Sequence, residues 1–247
     1  MLLGFLSDAH GNPFGFRPCY TRLREEGAER IYFLGDAVGY WPHSLEVLRE
    51  LLKRRIPCIK GNHEAMLLGL LPILEEDERI YRLRPLASAA SSRMRQLIAD
   101  EWPIRREIVA EGRRILLVHG RPNNCLEGYL YEDETPSSGE SADFDTVVMG
   151  HTHRAFVRKE QGVLWLNAGS CGLPRDIGNM ASCALYDTVS NSARILHEAM
   201  NTKALLASCG KGSVASEVMR ILSRGREDAR FTRQSRDKMS SRRRSGY

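Results

Sequence analysis

Five times along this chain a short apolar run stops, and the residues just after it include Asp, Asn or His. The places are Asp8-Ala9-His10, Gly35-Asp36, Gly61-Asn62-His63-Glu64, His119-Gly120 and Gly150-His151-Thr152-His153, and they hold five of the seven histidines. The runs before them, such as Leu2 to Leu6, Ile31 to Leu34 and Ile115 to Val118, are continuously apolar. That pattern belongs to strands buried on both faces, as in parallel sheets covered by helices. Ligands of open α/β sheets bind beyond the carboxyl ends of the strands, so the five segments are expected to converge in one crevice.

Around these points the chain reads as an α/β protein. Runs at 2–6, 31–34 and 56–59 alternate with amphipathic stretches at 14–27 and 43–54, a β-α-β-α-β rhythm. Residues 64–101 lack a strand-like run, are rich in Leu, Ala, Arg and Glu, and carry Pro72 and Pro85, which predicts two or three helices inserted over the sheet. Ile104 to Val109 and Ile115 to Val118 flank Glu111-Gly112, the signature of an antiparallel hairpin. Further strands are expected at 145–149, 154–159, 163–167, 182–187 and 193–197, forming a second sheet, with a surface loop at 127–141 and a helix over 200–223.

The net charge of +5 does not describe the body of the molecule. Residues 224–247 hold nine Arg or Lys against three acids, a net of +6, so residues 1–223 sum to −1. We therefore read residues 1–223 as one domain and 224–247 as a basic tail with too few apolar residues to offset its ordering entropy. The near-neutral body argues against nucleic acid as a partner, except through the tail. The six cysteines are scattered without a Cys-X-X-Cys pair, as free thiols of a reducing compartment would be. With no apolar stretch near the ~20 residues that span a bilayer, a cytoplasmic protein without membrane contact is expected.

Imidazole, carboxylate and amide oxygen without thiolate form a ligand set for a divalent metal such as manganese, iron or zinc. A catalytic ion takes about three protein ligands. Asp8, His10, Asp36, Asn62, His119, His151 and His153 are too many for one and suit two ions that share a carboxylate.

The order Asp-X-His, Gly-Asp, Gly-Asn-His-Asp/Glu, His, Gly-His-X-His resembles that of the calcineurin-like metallophosphoesterases. Ser7 to Asn12, Gly35 to Tyr40, Arg113 to Gly120, Asn167 to Ser170 and Leu173 to Asp176 extend the likeness to a prokaryotic branch of small phosphoesterases. The resemblance implies a four-layer αββα sandwich of two mixed sheets flanked by helices. It also implies one metal on Asp8, His10 and His153, a second on Asn62, His119 and His151, and Asp36 between them. Manganese heads the candidate ions, followed by iron, zinc, nickel and cobalt. A hydroxide between the ions would attack phosphorus, and His63 would bind the phosphoryl group or protonate the leaving oxygen.

The Ser/Thr protein phosphatases of that family carry Asp and Arg where this chain has Gly39 and Tyr40. Protein phosphatase activity is accordingly not expected, and replacement phosphate contacts are sought in Arg121 and Arg175. The expected function is hydrolysis of a phosphomonoester or phosphodiester, with a small phosphorylated molecule or nucleotide as substrate. The alternatives are a non-catalytic partner-binding scaffold of the same fold, like the retromer subunit, and a nuclease. Every expected ligand is present, which speaks for catalysis.

Overall fold

A computed structural model describes residues 1–137, 139–141 and 143–225. The expectation of disorder for the tail falls almost entirely outside them. Among the described residues nine strands build two sheets. The first contains β1 (Leu2–Leu6), β2 (Arg30–Phe33), β8 (Met180–Asp187) and β9 (Ser192–Ala199) in the order β2-β1-β8-β9. The second contains β3 (Arg105–Ala110), β4 (Arg113–Val118), β5 (Thr146–Met149), β6 (Ala155–Glu160) and β7 (Val163–Ala168) in the order β3-β4-β5-β7-β6. Each is mixed: β1 runs parallel to β2 and antiparallel to β8, while β4, β5 and β7 are parallel and β3 and β6 antiparallel at the edges.

Alternate residues of both sheets meet in one core. Leu3, Phe5, Tyr32 and Tyr186 from the first face Ile115, Leu117, Val148 and Leu166 from the second. Residues of the opposite parity point outward, as the two-residue period of a strand requires. Phe33 and Cys183 join Phe16 and Leu23 of α1 (Pro13–Glu25) and Val47, Leu48 and Leu51 of α2 (Ser44–Lys53). On the far side of the second sheet, Leu116, Val118, Met149 and Trp165 are covered by Leu130 and Phe144 of the segment between β4 and β5.

Four sequence expectations change in detail. The run 56–59 does not become a full strand: Cys58 makes a single parallel bridge to Phe33. Pro57 accepts from the Phe33 amide at 3.0 Å but has no N–H to return to the ladder. The insert holds four short helices, α3 (Asn62–Leu67), α4 (Glu75–Tyr81), α5 (Leu83–Ala89) and α6 (Ser92–Glu101), and Arg82 in the left-handed region breaks α4 from α5. Residues 200–223 form α7 (Thr202–Ser208) and α8 (Ser216–Ile221), parted by a stretch with Gly210 and Gly212. The hairpin of β3 and β4 is paired throughout, from Arg105↔Val118 to Ala110↔Arg113. The last two strands, expected in the second sheet, complete the first, where β8 covers the free edge of β1 in the register Leu3↔Tyr186. All six cysteines are free thiols, and no helix among the described residues is long and apolar enough to cross a membrane.

Candidate metal centre

The segments after β1, β2, β4 and β5, with the start of α3, lie together beyond the carboxyl ends of the strands. Backbone hydrogen bonds stitch them: Asp8 N to Gly35 O at 3.0 Å, His10 N to Asp36 O at 2.9 Å and Gly150 N to His119 O at 3.0 Å. Asp8, His10, Asp36, His151 and His153 all have positive φ, between 47° and 64°. Non-glycine residues occupy that region at a cost of about 1 to 3 kcal/mol each, and they concentrate where a side chain must be aimed. Here all five belong to two adjoining groups of potential ligands.

Asp8, His10 and His153 form one group of potential ligand atoms, and Asp36, His119 and His151 another. All six are buried. In the first, Nε2 of His10 lies 3.0 Å from Nε2 of His153, and Asp8 Oδ1 lies 3.2 Å from His153 and 3.6 Å from His10. In the second, Nε2 of His119 lies 3.1 Å from Asn62 Oδ1, 3.2 Å from His151 Nδ1 and 3.3 Å from Asp36 Oδ2. Asp36 Oδ2 is also 3.6 Å from His10 Nε2, which puts this carboxylate between the two groups. Donors that share one ion at ~2.1 Å are roughly 3 to 3.5 Å apart, the spacing found in both.

The tautomers show that these atoms fit a cation. Nδ1 of His10, His119 and His153 faces the carbonyls of Val38, Leu34 and Leu173 at 3.0, 2.8 and 2.7 Å. Those bonds place a proton on Nδ1, so that in the neutral ring Nε2 of His10 and of His153 is a lone pair directed inward. Two such lone pairs 3.0 Å apart repel unless a positive charge lies between them. Asp8 Oδ1 is buried without a hydrogen-bond partner, and such an orphan calls for an ion or water.

Electrostatics agree. Burial alone would raise the carboxyls of Asp8 and Asp36, but the surrounding histidines hold both well below the ordinary carboxylate range. Burial alone would lower His119, yet Asp36 and Asp8 push it up to about 10. Burial brings His153 down to about 4 and His63 to about 3, and lowers His151 strongly. Without metal, Asp36 and Asp8 thus favour the protonated form of His119.

His63 sits beside the second group, its Nε2 3.9 Å from Asp36 Oδ2. Its ring stacks on Tyr40 (centroids 5.1 Å apart, planes 22° apart) and lies 4.5 Å from that of Tyr81. A Cβ on Gly39 would fall 2.4 Å from His63 Nδ1, and Gly39 has φ +93°. The orienting acid of the protein phosphatases therefore has no room here. Tyr40 and Trp41 are buried.

Of the two arginines singled out, Arg175 is at the site: its amide donates to His153 O at 3.1 Å, and it lies in the electrostatic field of Tyr40, Tyr129, Tyr131 and Tyr81. Arg121 is not. Its guanidinium forms a two-point pair with Glu140 at 2.9 Å and a bond to Ser137, so it fastens the loop.

The sequence did not disclose the supports. Glu64 accepts from the amides of Asp36, Ala37 and Gly61 at 2.7, 2.8 and 2.9 Å. Ser7 Oγ donates to Asp8 Oδ2 at 2.6 Å, Ser170 Oγ to Asp8 O at 2.7 Å, and Asn167 Nδ2 to Gly150 O at 2.7 Å. Their signal was small polar residues within or beside the site segments, which periodicity does not resolve.

The fold and the clustered potential ligands are those of a metal-dependent phosphoesterase family. The chain belongs to the calcineurin-like phosphoesterase superfamily, whose domain model matches residues 1–191. It is similar to "Uncharacterized protein MJ0912" of Methanocaldococcus jannaschii, 26% identical over 204 residues, covering 75% of this chain and 82% of that protein. It is also similar to "Phosphodiesterase YfcE" of Escherichia coli strain K12, 22% identical over 198 residues, covering 76% of this chain and 88% of that one. The solved structure of hypothetical protein PH1004 from Pyrococcus horikoshii OT3 superposes with a TM-score of 0.76 at 20% identity, covering 91% of this chain and 98% of the other. That likeness establishes the mixed, helix-flanked double-sheet architecture.

Proposed function

We propose that this protein hydrolyses phosphate esters at a pair of divalent ions. Asp8, His10 and His153 would hold one, Asn62, His119 and His151 the other, and Asp36 both. The observation that carries this reading is the position of Asp36 Oδ2, within 3.6 Å of His10 and 3.3 Å of His119. Manganese is the first ion to test, with iron, zinc, nickel and cobalt as substitutes. Such ions, when bound, supply Lewis-acid charge at the phosphoryl oxygens and bring water toward hydroxide near neutral pH. The name of the Escherichia coli relative supports a phosphodiester among the substrates.

The residues of the chain do the rest. Asp8 and the histidines with carbonyl-anchored Nδ1 arrive with their donor atoms already aimed, so little reorganisation is required. His63, neutral at pH 7 with its pKa near 3, acts first as a hydrogen-bond donor to the phosphoryl group or the leaving oxygen. Protonation of a poor leaving group requires the anionic substrate to raise that pKa. Arg175, on the His153 side, balances charge on a non-reacting oxygen.

Hydrolysis of bis(4-nitrophenyl) phosphate by the full chain, stripped and then reloaded with manganese, tests the proposal. Turnover should depend on the ion and fall at least about a thousandfold in Asp36→Asn, the scale on which loss of central electrostatic groups acts. Metal-independent turnover, or an active Asp36→Asn enzyme, would refute it.

A further inference from the structure

Packing, more than hydrogen bonding, holds the imidazole of His63. Its Nδ1 is buried without a partner among the described residues, and its Nε2, 3.9 Å from Asp36 Oδ2, is out of bonding range of that carboxylate. Two buried phenol rings close on it instead. The centroids of His63 and Tyr81 stand 4.5 Å apart, those of His63 and Tyr40 5.1 Å, and those of Tyr40 and Tyr81 5.2 Å, so the three rings form a closed triangle. Those spacings are the ones at which aromatic rings attract. The two tyrosines come from different parts of the fold. Tyr40 belongs to the segment after β2, whereas Tyr81 is the last residue of α4 in the helical insert. Arg82, left-handed at φ 58°, ends α4, and the Glu78 carboxylate accepts the amides of Leu83 and Arg84 at 3.1 Å, filling two open donors at the start of α5. The chain turns just past Tyr81, whose carbonyl accepts the amide of Tyr40 at 2.8 Å.

We propose that Tyr81 is a positioning residue for His63: the helical insert supplies the ring that sets the imidazole, in place of the orienting acid for which Gly39 leaves no room. This rests on the phosphoesterase reading and extends its machinery to the insert. Removing the Tyr81 ring opens space beside an imidazole whose terminal torsion is soft and whose Nδ1 is tied to nothing. The ring then turns away from the cluster, and a misplaced donor costs rate more than affinity. Tyr40 is the poorer probe, because its ring also meets that of His10, with centroids 4.6 Å and planes 80° apart, and a change there would disturb a proposed metal ligand.

The full chain loaded with manganese tests this on bis(2-hydroxyethyl) phosphate, a diester with poor leaving groups. Tyr81→Ala should lower kcat about tenfold with KM within about twofold of the parent, and Tyr81→Phe should keep the parental kcat. In a His63→Ala background Tyr81→Ala should change kcat by less than about twofold, whereas a merely structural residue would cost the same with or without His63. A second readout needs no turnover. In the stripped protein the nuclear Overhauser effect between the ring protons of His63 and His10, whose centroids lie 4.6 Å apart, should weaken in Tyr81→Ala and return in Tyr81→Phe. Tyr81→Leu, which keeps apolar bulk without a ring, gives the same two readings if the alanine chain does not unfold cooperatively. An undiminished loss of kcat in the His63→Ala background, or an unchanged Overhauser effect, would overturn the proposal. A weakened Overhauser effect with no metal-dependent hydrolysis by the parent upholds the positioning and removes the hydrolase, and hydrolysis with additive losses does the reverse.

Discussion

The Glu64 carboxylate accepts the backbone amide of Asp36 at 2.7 Å, so the residue between the two groups of potential ligands is held through its backbone by an acid that belongs to neither. The same carboxylate holds Ala37 and Gly61 and thereby locks the segment after β2 to the start of α3. Removing it leaves three buried N–H groups without an acceptor, each worth about 1 to 3 kcal/mol. Glu64→Ala should therefore lower the unfolding free energy of the metal-free protein by at least about 3 kcal/mol in urea. A loss below about 1 kcal/mol would show that the segments are held by something else.

Gly39 and His63 provide a steric test. An alanine at position 39 would need a left-handed backbone and would meet His63 Nδ1 at 2.4 Å. Gly39→Ala should displace the imidazole and reduce turnover about as far as His63→Ala does, while the metal content of the protein stays that of the parent. If Gly39→Ala kept parental turnover, His63 would have no positional role.

The role of His63 depends on the leaving group. A neutral donor matters little when the departing oxygen is already a good leaving group and much when it is not. His63→Ala should cost about tenfold or less on 4-nitrophenyl esters and about a hundredfold or more on alkyl phosphate esters. Equal losses on both would contradict this assignment.

Metal binding should release a proton. In the metal-free protein His119, at about 10, keeps its proton at neutral pH, whereas His153 and His63, at about 4 and about 3, are already deprotonated. An ion at His119 Nε2 must expel that proton, so apparent affinity should rise about tenfold per pH unit between pH 6 and 9. The same values fix the acid side of stability. His153 and His63 have folded pKa values below the unfolded value of about 6.5, so the unfolded chain binds more protons as pH falls, and stability is lost as pH drops from 6.5 toward 4. Titrations of metal affinity and of urea midpoints against pH check both. A flat affinity profile would show that His119 carries no exchangeable proton.

Much of the site was legible because the chemistry repeats at strand ends. Asp8, His10, Asp36, Asn62, His119, His151 and His153 follow continuous apolar runs, and a parallel arrangement brings such ends together whatever the loop lengths. Less legible was anything governed by a single backbone group. Pro57, lacking an N–H, reduced a strand to one bridge, and Arg82 with its left-handed backbone divided a helix. The pairing of β8 with β1 depends on contacts more than 170 residues apart, which periodicity cannot register. Arg121 and Arg175 looked alike in sequence because each follows a site segment, and only the position of Glu140 separates them.

The claim beneath all of this is that the facing Nε2 lone pairs of His10 and His153, and the carboxylate of Asp36, exist to hold cations. Anomalous diffraction from crystals of the manganese-loaded protein tests it most directly. The account predicts two peaks about 4 Å apart or less, one against Asp8, His10 and His153 and the other against Asn62, His119 and His151, with Asp36 reaching both. A single peak, or none at full loading, would contradict it.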